Sequence, residues 1–418
     1  MKESMQNNHI LGNRDLMQNK STLQDTPSAN RLHIGIFGKT NSGKSTFINS
    51  FSGQKVSIVA DVAGTTTDPV YKAMEIYPFG PCELIDTAGF DDEGELGKLR
   101  IEKTKLAAQK SDVALILFSG DDFQAELEWV NILKEQNTPM LPVLNKCDLY
   151  SEEEKIEILN RIKKATKKDA ACISAIEGEG IKELKERLIS IVPENYDAKT
   201  ILGNLVTKED LVLLVMPQDI QAPKGRLILP QVQTLRELLD KKCMVMSVTT
   251  EQLLPSLAVL KEPPKLIITD SQAFDYVYEN KPAESLLTSF SVLFAAWKGD
   301  LSYYVESAGK LDNLKPDAKI LIAECCTHAP LKEDIGREKI PRFLRKKFGN
   351  DLQISNVSGT DYPEDLTPYD LVIQCGACMF NRKYVMYRID RAKKQGVPMT
   401  NYGIILAKLI GILDKIVL

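Results

Sequence analysis

The sequence lacks any long apolar run, and this absence excludes several classes of protein at the outset. No stretch of the 418 residues approaches the roughly 18 apolar residues that a helix needs to span a bilayer. The polar segment 1–30 also lacks the apolar core of a signal peptide and is predicted to be a flexible tail. We therefore expect a cytoplasmic protein with no membrane partner.

An excess of basic residues is missing too. The net charge is −4, which argues against nucleic acid as the main partner but not against a local basic patch. Because thiols stay reduced in the cytosol, disulfides are the least expected use of the eight cysteines. Four cysteines lie within or beside apolar runs and are interpreted as small buried side chains. These are Cys82, Cys147, Cys172 and Cys243.

Short apolar runs alternate with helical stretches between about residues 31 and 195. Such runs are typical of parallel strands, which are buried because helices cover both faces of their sheet. The pattern predicts an α/β chain that opens with a doubly wound domain at 31–195. Two smaller α/β domains are predicted to follow at 196–287 and 288–418.

The segment "GKTNSGKS", residues 38–45, fits the phosphate-binding pattern G-x-x-x-x-G-K-S/T. It follows a predicted strand and precedes a predicted helix, which is the context that the pattern requires. Backbone N–H groups of such a loop close around phosphates, Lys44 reaches the β- and γ-phosphates, and Ser45 ligates Mg²⁺. The expected nucleotide contacts of this P-loop are Gly38, Asn41, Ser42, Gly43, Lys44, Ser45 and Thr46.

Three further motifs each follow a predicted strand: "DTAG", "NKCD" and "SAIEG". Asp86 can hold Mg²⁺ through water, and the N–H of Gly89 can meet the γ-phosphate. Asp148 can accept from N1–H and the exocyclic amine of guanine, which adenine does not offer. The expected contacts from these motifs are Asp86, Gly89, Asn145, Lys146, Asp148, Ser174 and Ala175. Four motifs in this order predict a GTP site.

This part of the chain resembles the translation-factor-type GTPases of the TrmE–Era–EngA group. The resemblance identifies "GTTTD", residues 64–68, as the switch I element. It implies that Thr66 completes the Mg²⁺ shell and acts in catalysis beside Lys44 and Gly89.

A glutamine is missing where many GTPases use one to orient the attacking water. Phe90 occupies that position here, and a phenyl ring cannot orient water. Members of the group with this replacement often use a monovalent cation, so K⁺ is expected as a cofactor. Asn41 is either a ligand of that K⁺ or a residue that favours a turn.

The remaining cysteines cluster in "ECCTHAP" and "QCGAC", each after a short apolar strand. In a parallel sheet the carboxyl ends of strands face one edge, where loops converge on ligands. Two thiolates in a C-x-x-C turn can bind one metal centre, and the spacing fits a zinc ion and an iron–sulfur cluster equally. Buried thiols or a redox pair fit less well, because the clustering is tight and no helix clearly starts at the C-x-x-C.

Residues 25–418 resemble the [FeFe]-hydrogenase maturation GTPases, the HydF family. The features that carry this resemblance are the GTPase motifs, "TPSANRLHIGIFG", a middle domain, and C-x-H followed far downstream by C-x-x-C. It implies a [4Fe-4S] cluster held by Cys326, Cys375 and Cys378, and a homodimer formed by the middle domain. It also implies a scaffold or carrier for the diiron subcluster, with the hydrogenase apoprotein and the radical-SAM maturases of the pathway as partners.

A histidine that the family usually has before its C-x-x-C is missing, and Gln374 stands in its place. Glutamine is a poor iron ligand, so three cysteines leave one iron with an exchangeable position. His328, Glu333, water or a delivered ligand could fill that position, and His328 could equally donate a hydrogen bond to a cluster sulfide. Cys325 is interpreted as a buried neighbour of the ligands.

A second interpretation is a ribosome- or tRNA-directed GTPase with structural zinc on the cysteines. The segments "FLRKKFG" and "NRKYVMYRIDRAKK" supply some of the basic and aromatic surface that it would need. A plain oligomeric scaffold with vestigial cysteines is a third. Metal content separates the first two interpretations. A hydrogenase maturation GTPase would hold iron and sulfide, whereas a ribosome- or tRNA-directed GTPase would hold zinc.

The assignment of Asp148 can be tested by nucleotide choice. We expect Asp148→Asn to weaken GTP binding and favour xanthosine triphosphate, because the amide reverses one hydrogen-bonding pattern. Titration with both nucleotides measures the change. Unchanged GTP affinity would remove the basis for placing guanine here.

Overall fold

A computed structural model describes residues 26–53, 69–89, 95–193, 196, 199–217, 227–325 and 335–418. Residues 1–25 of the predicted tail 1–30 and the switch I segment up to residue 68 lie outside these ranges. So do five residues to which the sequence analysis gave a role: Thr66, Phe90, Cys326, His328 and Glu333. The end of the predicted tail is ordered, because Ser28–Asn30 forms a 3₁₀ helix in which Ala29 is buried.

The first sheet is the predicted doubly wound sheet of the nucleotide domain. Its order is β2-β3-β1-β4-β5-β6, and β2 is the antiparallel strand at one edge. The predicted strands of this domain are confirmed, and β1, β4 and β5 are buried along their whole length. The strands are β1 Leu32–Gly38, β2 Val70–Ile76, β3 Gly80–Asp86, β4 Val113–Phe118, β5 Met140–Leu144 and β6 Ala171–Cys172.

Five helices cover this sheet on both faces, which is why its central strands are apolar throughout. One core contains Phe47 of the first helix and Leu184 of the fifth. The core on the other face contains Trp129 of the third helix and Ile158 of the fourth. The helices are α1 Lys44–Ser52, α2 Glu95–Lys110, α3 Gln124–Glu135, α4 Glu152–Thr166 and α5 Ile181–Ile191.

The second sheet has four parallel strands in the order β10-β9-β7-β8. Its strands are β7 Leu211–Val215, β8 Met244–Val248, β9 Leu266–Thr269 and β10 Leu286–Ser289. The helices of this part are α6 Leu229–Asp240, α7 Leu253–Val259, α8 Phe274–Asn280 and α9 Phe290–Lys298.

The third sheet also has four parallel strands, in the order β12-β11-β13-β14. Its strands are β11 Lys319–Ala323, β12 Gln353–Val357, β13 Leu371–Gln374 and β14 Met399–Asn401. Its helices are α10 Leu301–Gly309, α11 Ile340–Phe348, α12 Arg382–Lys394 and α13 Tyr402–Ile410. Helix α13 confirms the predicted buried helix in "YGIILAKLIGIL". No helix in the described ranges is long and apolar enough to cross a membrane.

One hydrophobic core joins the second and third sheets. It contains Leu213 and Ile267 of the second sheet together with Leu321 and Val372 of the third. Helices α9 and α13 approach closely in this core, because a Cβ on Gly403 would meet the backbone and side chain of Val292. The two sheets therefore share buried apolar surface.

Two cysteines depart from the sequence expectation. Cys147, just after β5, and Cys172, at the end of β6, form a disulfide with a Cα–Cα distance of 6.3 Å. Strands β5 and β6 are parallel neighbours, so their carboxyl ends bring the two residues side by side. The expectation of two separate reduced thiols is contradicted for this pair. Cys82 and Cys243 are buried and unpaired, as predicted.

Candidate functional site: a P-loop and a cysteine loop

The predicted P-loop runs from Gly38, the last residue of β1, to Ser45 in the first turn of α1. Gly43 caps α1 with a φ of 89°, a conformation that favours glycine. A Cβ at Gly43 would also lie 2.5 Å from the Nδ2 of Asn145. The glycine thus lets the loop bend tightly at a helix N-terminus, where phosphate binding is favourable. Thr46 follows on the exposed side of the same turn.

Lys44 and Ser45 are the first two residues of α1 and contact the P-loop backbone and Asp86. The buried Lys44 ammonium donates to the carbonyls of Gly38 at 2.8 Å and Lys39 at 2.7 Å. Ser45 Oγ donates to Asp86 Oδ2 at 3.1 Å. Burial raises the pKa of Asp86, against the opposing effects of Lys44 and Ser45. A divalent cation next to these oxygens would favour the ionised carboxylate, so the donor set fits Mg²⁺.

The "DTAG" segment lies directly against the P-loop. A Cβ on Gly89 would lie 2.7 Å from the backbone nitrogen of Thr40 and would overlap its Oγ1. Only glycine allows this approach without displacing the loop. The predicted γ-phosphate contact of Gly89 therefore lies beside the loop that would hold that phosphate.

Asn145 connects the three loops of the predicted guanine site. Its Nδ2 donates to the Ser42 carbonyl at 2.9 Å, and its Oδ1 accepts from the Ala175 backbone nitrogen at 3.2 Å. Ser174 is fully buried, whereas the side chain of Asp148 is exposed. The role of Asn145 is thus to tie the loops together, and Asp148 stays accessible to a base.

Asn41 and Lys146 both adopt left-handed backbone conformations, with φ of 61° and 63°. Asparagine tolerates this region better than most residues because of its short polar side chain. The turn interpretation of Asn41 therefore has a conformational basis. Its interpretation as a K⁺ ligand stays a prediction.

The cysteine loop, residues 375–378, leaves the carboxyl end of β13. Strand β11 is its parallel neighbour, and Ala323 of β11 pairs with Gln374 of β13. Cys325, just after β11, consequently lies beside Cys375, and its backbone nitrogen donates to Cys375 Sγ at 3.2 Å. The predicted convergence of the two cysteine segments at one sheet edge is what the described residues show.

The two adjacent thiols differ in acidity. Burial raises the pKa of Cys325 well above its usual value, and the neighbouring Cys375 adds to this. A hydrogen bond from the Cys325 side chain is the main effect that lowers the pKa of Cys375, and it outweighs burial. Cys375 is thus the better thiolate of the pair, and Cys325 is a donor to it.

The described residues supply only part of the donor set that a cluster needs. No group of three metal-ligating side chains lies within the described ranges, and the third predicted ligand, Cys326, lies outside them. Gln374 is 1% exposed, and its Nε2 lies 3.4 Å from the Tyr304 hydroxyl. The buried Oε1 of Gln374 has no protein hydrogen-bond partner. The adjacent cysteines are the part of this donor set that fits a bound metal group.

The N-terminus of α12, which follows the cysteine loop, contacts the nucleotide domain. Asn381 Nδ2 donates to the Lys110 carbonyl at 2.7 Å and lies 3.3 Å from His33 Nδ1. Asn381 Oδ1 caps α12 by accepting from the Tyr384 backbone nitrogen. Lys383 donates to the carbonyls of Gln136 and Asn137. We call the contact among His33, Lys110 and Asn381 the loop–GTPase junction.

His33 is the charged centre of the loop–GTPase junction and is 4% exposed. Burial disfavours its charged ring, but hydrogen bonds and charge from Asp112 and Glu83 outweigh burial and raise the pKa of His33 to about 9. The distance from Nε2 to Glu83 Oε2 is 3.2 Å. Arg31 faces the same Glu83 at 3.2 Å. His33 is therefore protonated at neutral pH.

Sequence reasoning missed this junction. Two signals were available in the sequence. His33 is a polar residue in an apolar strand, and Asn381 is a helix cap three residues after Cys378. Neither shows that two residues 348 positions apart meet.

Comparison with known proteins assigns the three parts of the chain. Residues 33–146 match the family model of the 50S ribosome-binding GTPase. Residues 201–299 match the hydrogen maturase F dimerization domain, and residues 302–418 match the hydrogen maturase F tetramerization domain. The chain belongs to the HydF-type hydrogenase maturation GTPases. The α/β fold class and the GTPase domain predicted from the sequence are confirmed.

Curated relatives of this HydF-type chain match through its GTPase domain. GTPase Der of Wolinella succinogenes is 33% identical, over 42% of this chain and 38% of the relative. The tRNA modification GTPase MnmE of Xanthomonas oryzae pv. oryzae is 30% identical, over 38% of this chain and 33% of the relative. The chain thus spans little more than a third of the length of these relatives.

A solved structure of Aquifex aeolicus Era, bound to GDP·AlF4⁻, is 22% identical. It covers 52% of this chain and 92% of its own, with a TM-score of 0.36.

The family models add one finding that the sequence analysis did not predict. The segment that contains the cysteine loop matches a tetramerization domain.

The raised pKa of His33 predicts a pH-dependent stability. A charged His33 stabilises the fold fully below its unfolded pKa near 6.5, and this contribution is lost as pH rises through about 9. The contribution is on the order of 3 kcal/mol. We expect His33→Gln to lower the thermal unfolding midpoint most at pH 6, with a difference that shrinks towards pH 9.5. A difference that stays constant across this range would show that the ring is not charged.

Proposed function

We propose that the chain binds and hydrolyses GTP with Mg²⁺ and carries a [4Fe-4S] cluster during the maturation of [FeFe]-hydrogenase. In this role it is a scaffold or carrier that assembles or delivers the diiron subcluster. The observation that carries the proposal is the contact between Cys325 and Cys375, which brings two cysteine segments to one sheet edge in a HydF-type chain.

The nucleotide half of the proposal rests on the P-loop and the motifs around it. Lys44 would neutralise the β- and γ-phosphates, and Ser45, with Asp86 behind it, would hold Mg²⁺. Gly89 would meet the γ-phosphate, and Thr66 would complete the Mg²⁺ shell. Preorganised donors around a phosphoryl group act mainly by positioning and by charge stabilisation.

The cluster half rests on the chemistry of the cysteine loop. Cys326, Cys375 and Cys378 would hold the cluster, which supplies an iron with an exchangeable coordination position. His328, Glu333, water or a delivered ligand would fill that position. Cys325 would donate its backbone N–H to the Cys375 sulfur, and such hydrogen bonds tune iron–sulfur sites.

The partners follow from the same assignment. Domains matched as dimerization and tetramerization domains support an oligomer of identical chains, with a homodimer formed through residues 196–287. The hydrogenase apoprotein and the radical-SAM maturases would be transient partners in the cytoplasm.

The missing glutamine at Phe90 predicts cation-dependent hydrolysis. Phe90 cannot position water, so hydrolysis by the isolated protein should be slow and faster in K⁺ than in Na⁺. Asn41→Ala should abolish the difference if Asn41 is the cation ligand. Steady-state rates in the two salts at matched ionic strength measure this, and equal wild-type rates would leave Asn41 as a turn residue.

Metal content tests the cluster. We expect serine at Cys326, Cys375 or Cys378 to remove most of the iron and sulfide from the reconstituted protein, while GTP hydrolysis survives in its separate domain. Cys325→Ser is the matched control, because its backbone N–H remains, and it should keep most of the iron. Stoichiometric zinc without sulfide in the wild type would support the rival GTPase. Normal iron in all four variants would remove the cluster assignment.

A further inference from the structure

A buried lysine lies under the cysteine loop. Lys298 is the last residue of α9 and is only 2% exposed, although lysine is almost never fully buried without a partner. The rings of Trp297 and Phe294 lie 5.0 and 5.6 Å from its ammonium. The ammonium is therefore enclosed, and its polar contacts must all come from protein or from a bound group.

The hydrogen bonds of Lys298 all go to one turn. Its Nζ donates to the carbonyls of Phe380 at 2.7 Å, Cys378 at 3.3 Å and Ala377 at 3.4 Å. An ammonium group has three donors, so these three acceptors account for its capacity. Ala377 has a φ of 52°, which is unusual for a residue with a Cβ. The lysine thus holds the turn in a conformation that alanine rarely adopts.

The charge of Lys298 has no carboxylate counter-ion among the described residues. The acidic groups that act on its ammonium are the thiols of Cys378, Cys325 and Cys375. Burying a charge without an opposite charge has a free-energy cost. An anionic group on the cysteine loop would remove this cost.

We propose that Lys298 is a positioning residue of the cluster site, which holds the C-x-x-C turn and offsets the negative charge of the thiolate-bound cluster. The proposal rests on the proposed function of the cysteine loop. Lys298 lies in the segment matched by the dimerization model, whereas the cysteines lie in the next one. The middle domain would therefore contribute a residue to the cluster site.

The test compares Lys298→Met with Lys281→Met in the full chain. Lys281 is a matched control, because its Nζ also donates to loop carbonyls, of Pro282 and Ser285, within the middle domain. Iron and sulfide content and the midpoint potential of the cluster are measured after reconstitution. We expect Lys298→Met to lose most of its iron, and the fraction that remains to have a more negative potential, because a nearby cation stabilises the reduced cluster. Lys281→Met should behave as the wild type.

Lys298→Arg keeps the positive charge and the hydrogen-bond donors. It provides the test if Lys298→Met fails to fold. We expect it to keep more iron than Lys298→Met and a potential closer to the wild type. The proposal is overturned if Lys298→Met matches the wild type in iron and potential, or if Lys298→Arg loses iron as completely as Lys298→Met. A wild type that takes up zinc but no sulfide would instead overturn the proposed function.

Discussion

The geometry of parallel strands determines where every candidate site of this protein lies. Parallel strands deliver the loops that follow them to one edge of the sheet. In the first domain this edge carries the P-loop after β1, "DTAG" after β3 and "NKCD" after β5. In the third domain the same rule brings the loops after β11 and β13 together. Residues far apart in sequence meet because their strands are neighbours.

The sequence predicted these features because they follow local rules. Apolar runs indicated the buried strands, and the motif at residues 38–45 fixed both a loop and the helix after it. Strand β2 was missed because most of its residues are exposed or half-buried at the edge of the sheet and form no apolar run. The disulfide between Cys147 and Cys172 was missed because it depends on which strands pair. The contact between Lys298 and the cysteine loop was also not predicted, because it depends on how two domains pack against each other.

The cysteine loop is held from two sides by different domains. Lys298 contacts its turn from the middle domain, and Asn381, the N-cap of the helix that follows the loop, contacts the GTPase domain. Both contacts have backbone carbonyls as acceptors. They therefore depend on the backbone conformation more than on which side chains the accepting residues carry. A loop whose backbone is fixed in this way presents its thiols in a defined arrangement, which is the preorganisation that a metal site requires.

The shared core of the second and third sheets limits how the sequence of this protein can evolve. Leu213 and Leu321 belong to one continuous apolar interior, and Gly403 packs against Val292 across it. A segment that buries its apolar face only against its neighbour cannot be exchanged for an unrelated segment without exposing that face to water. The two domains therefore have to be inherited as a pair, with compensating substitutions on both sides of their boundary. The GTPase domain has two cores of its own, one on each face of its sheet, and Leu106 of α2 also packs against the shared core.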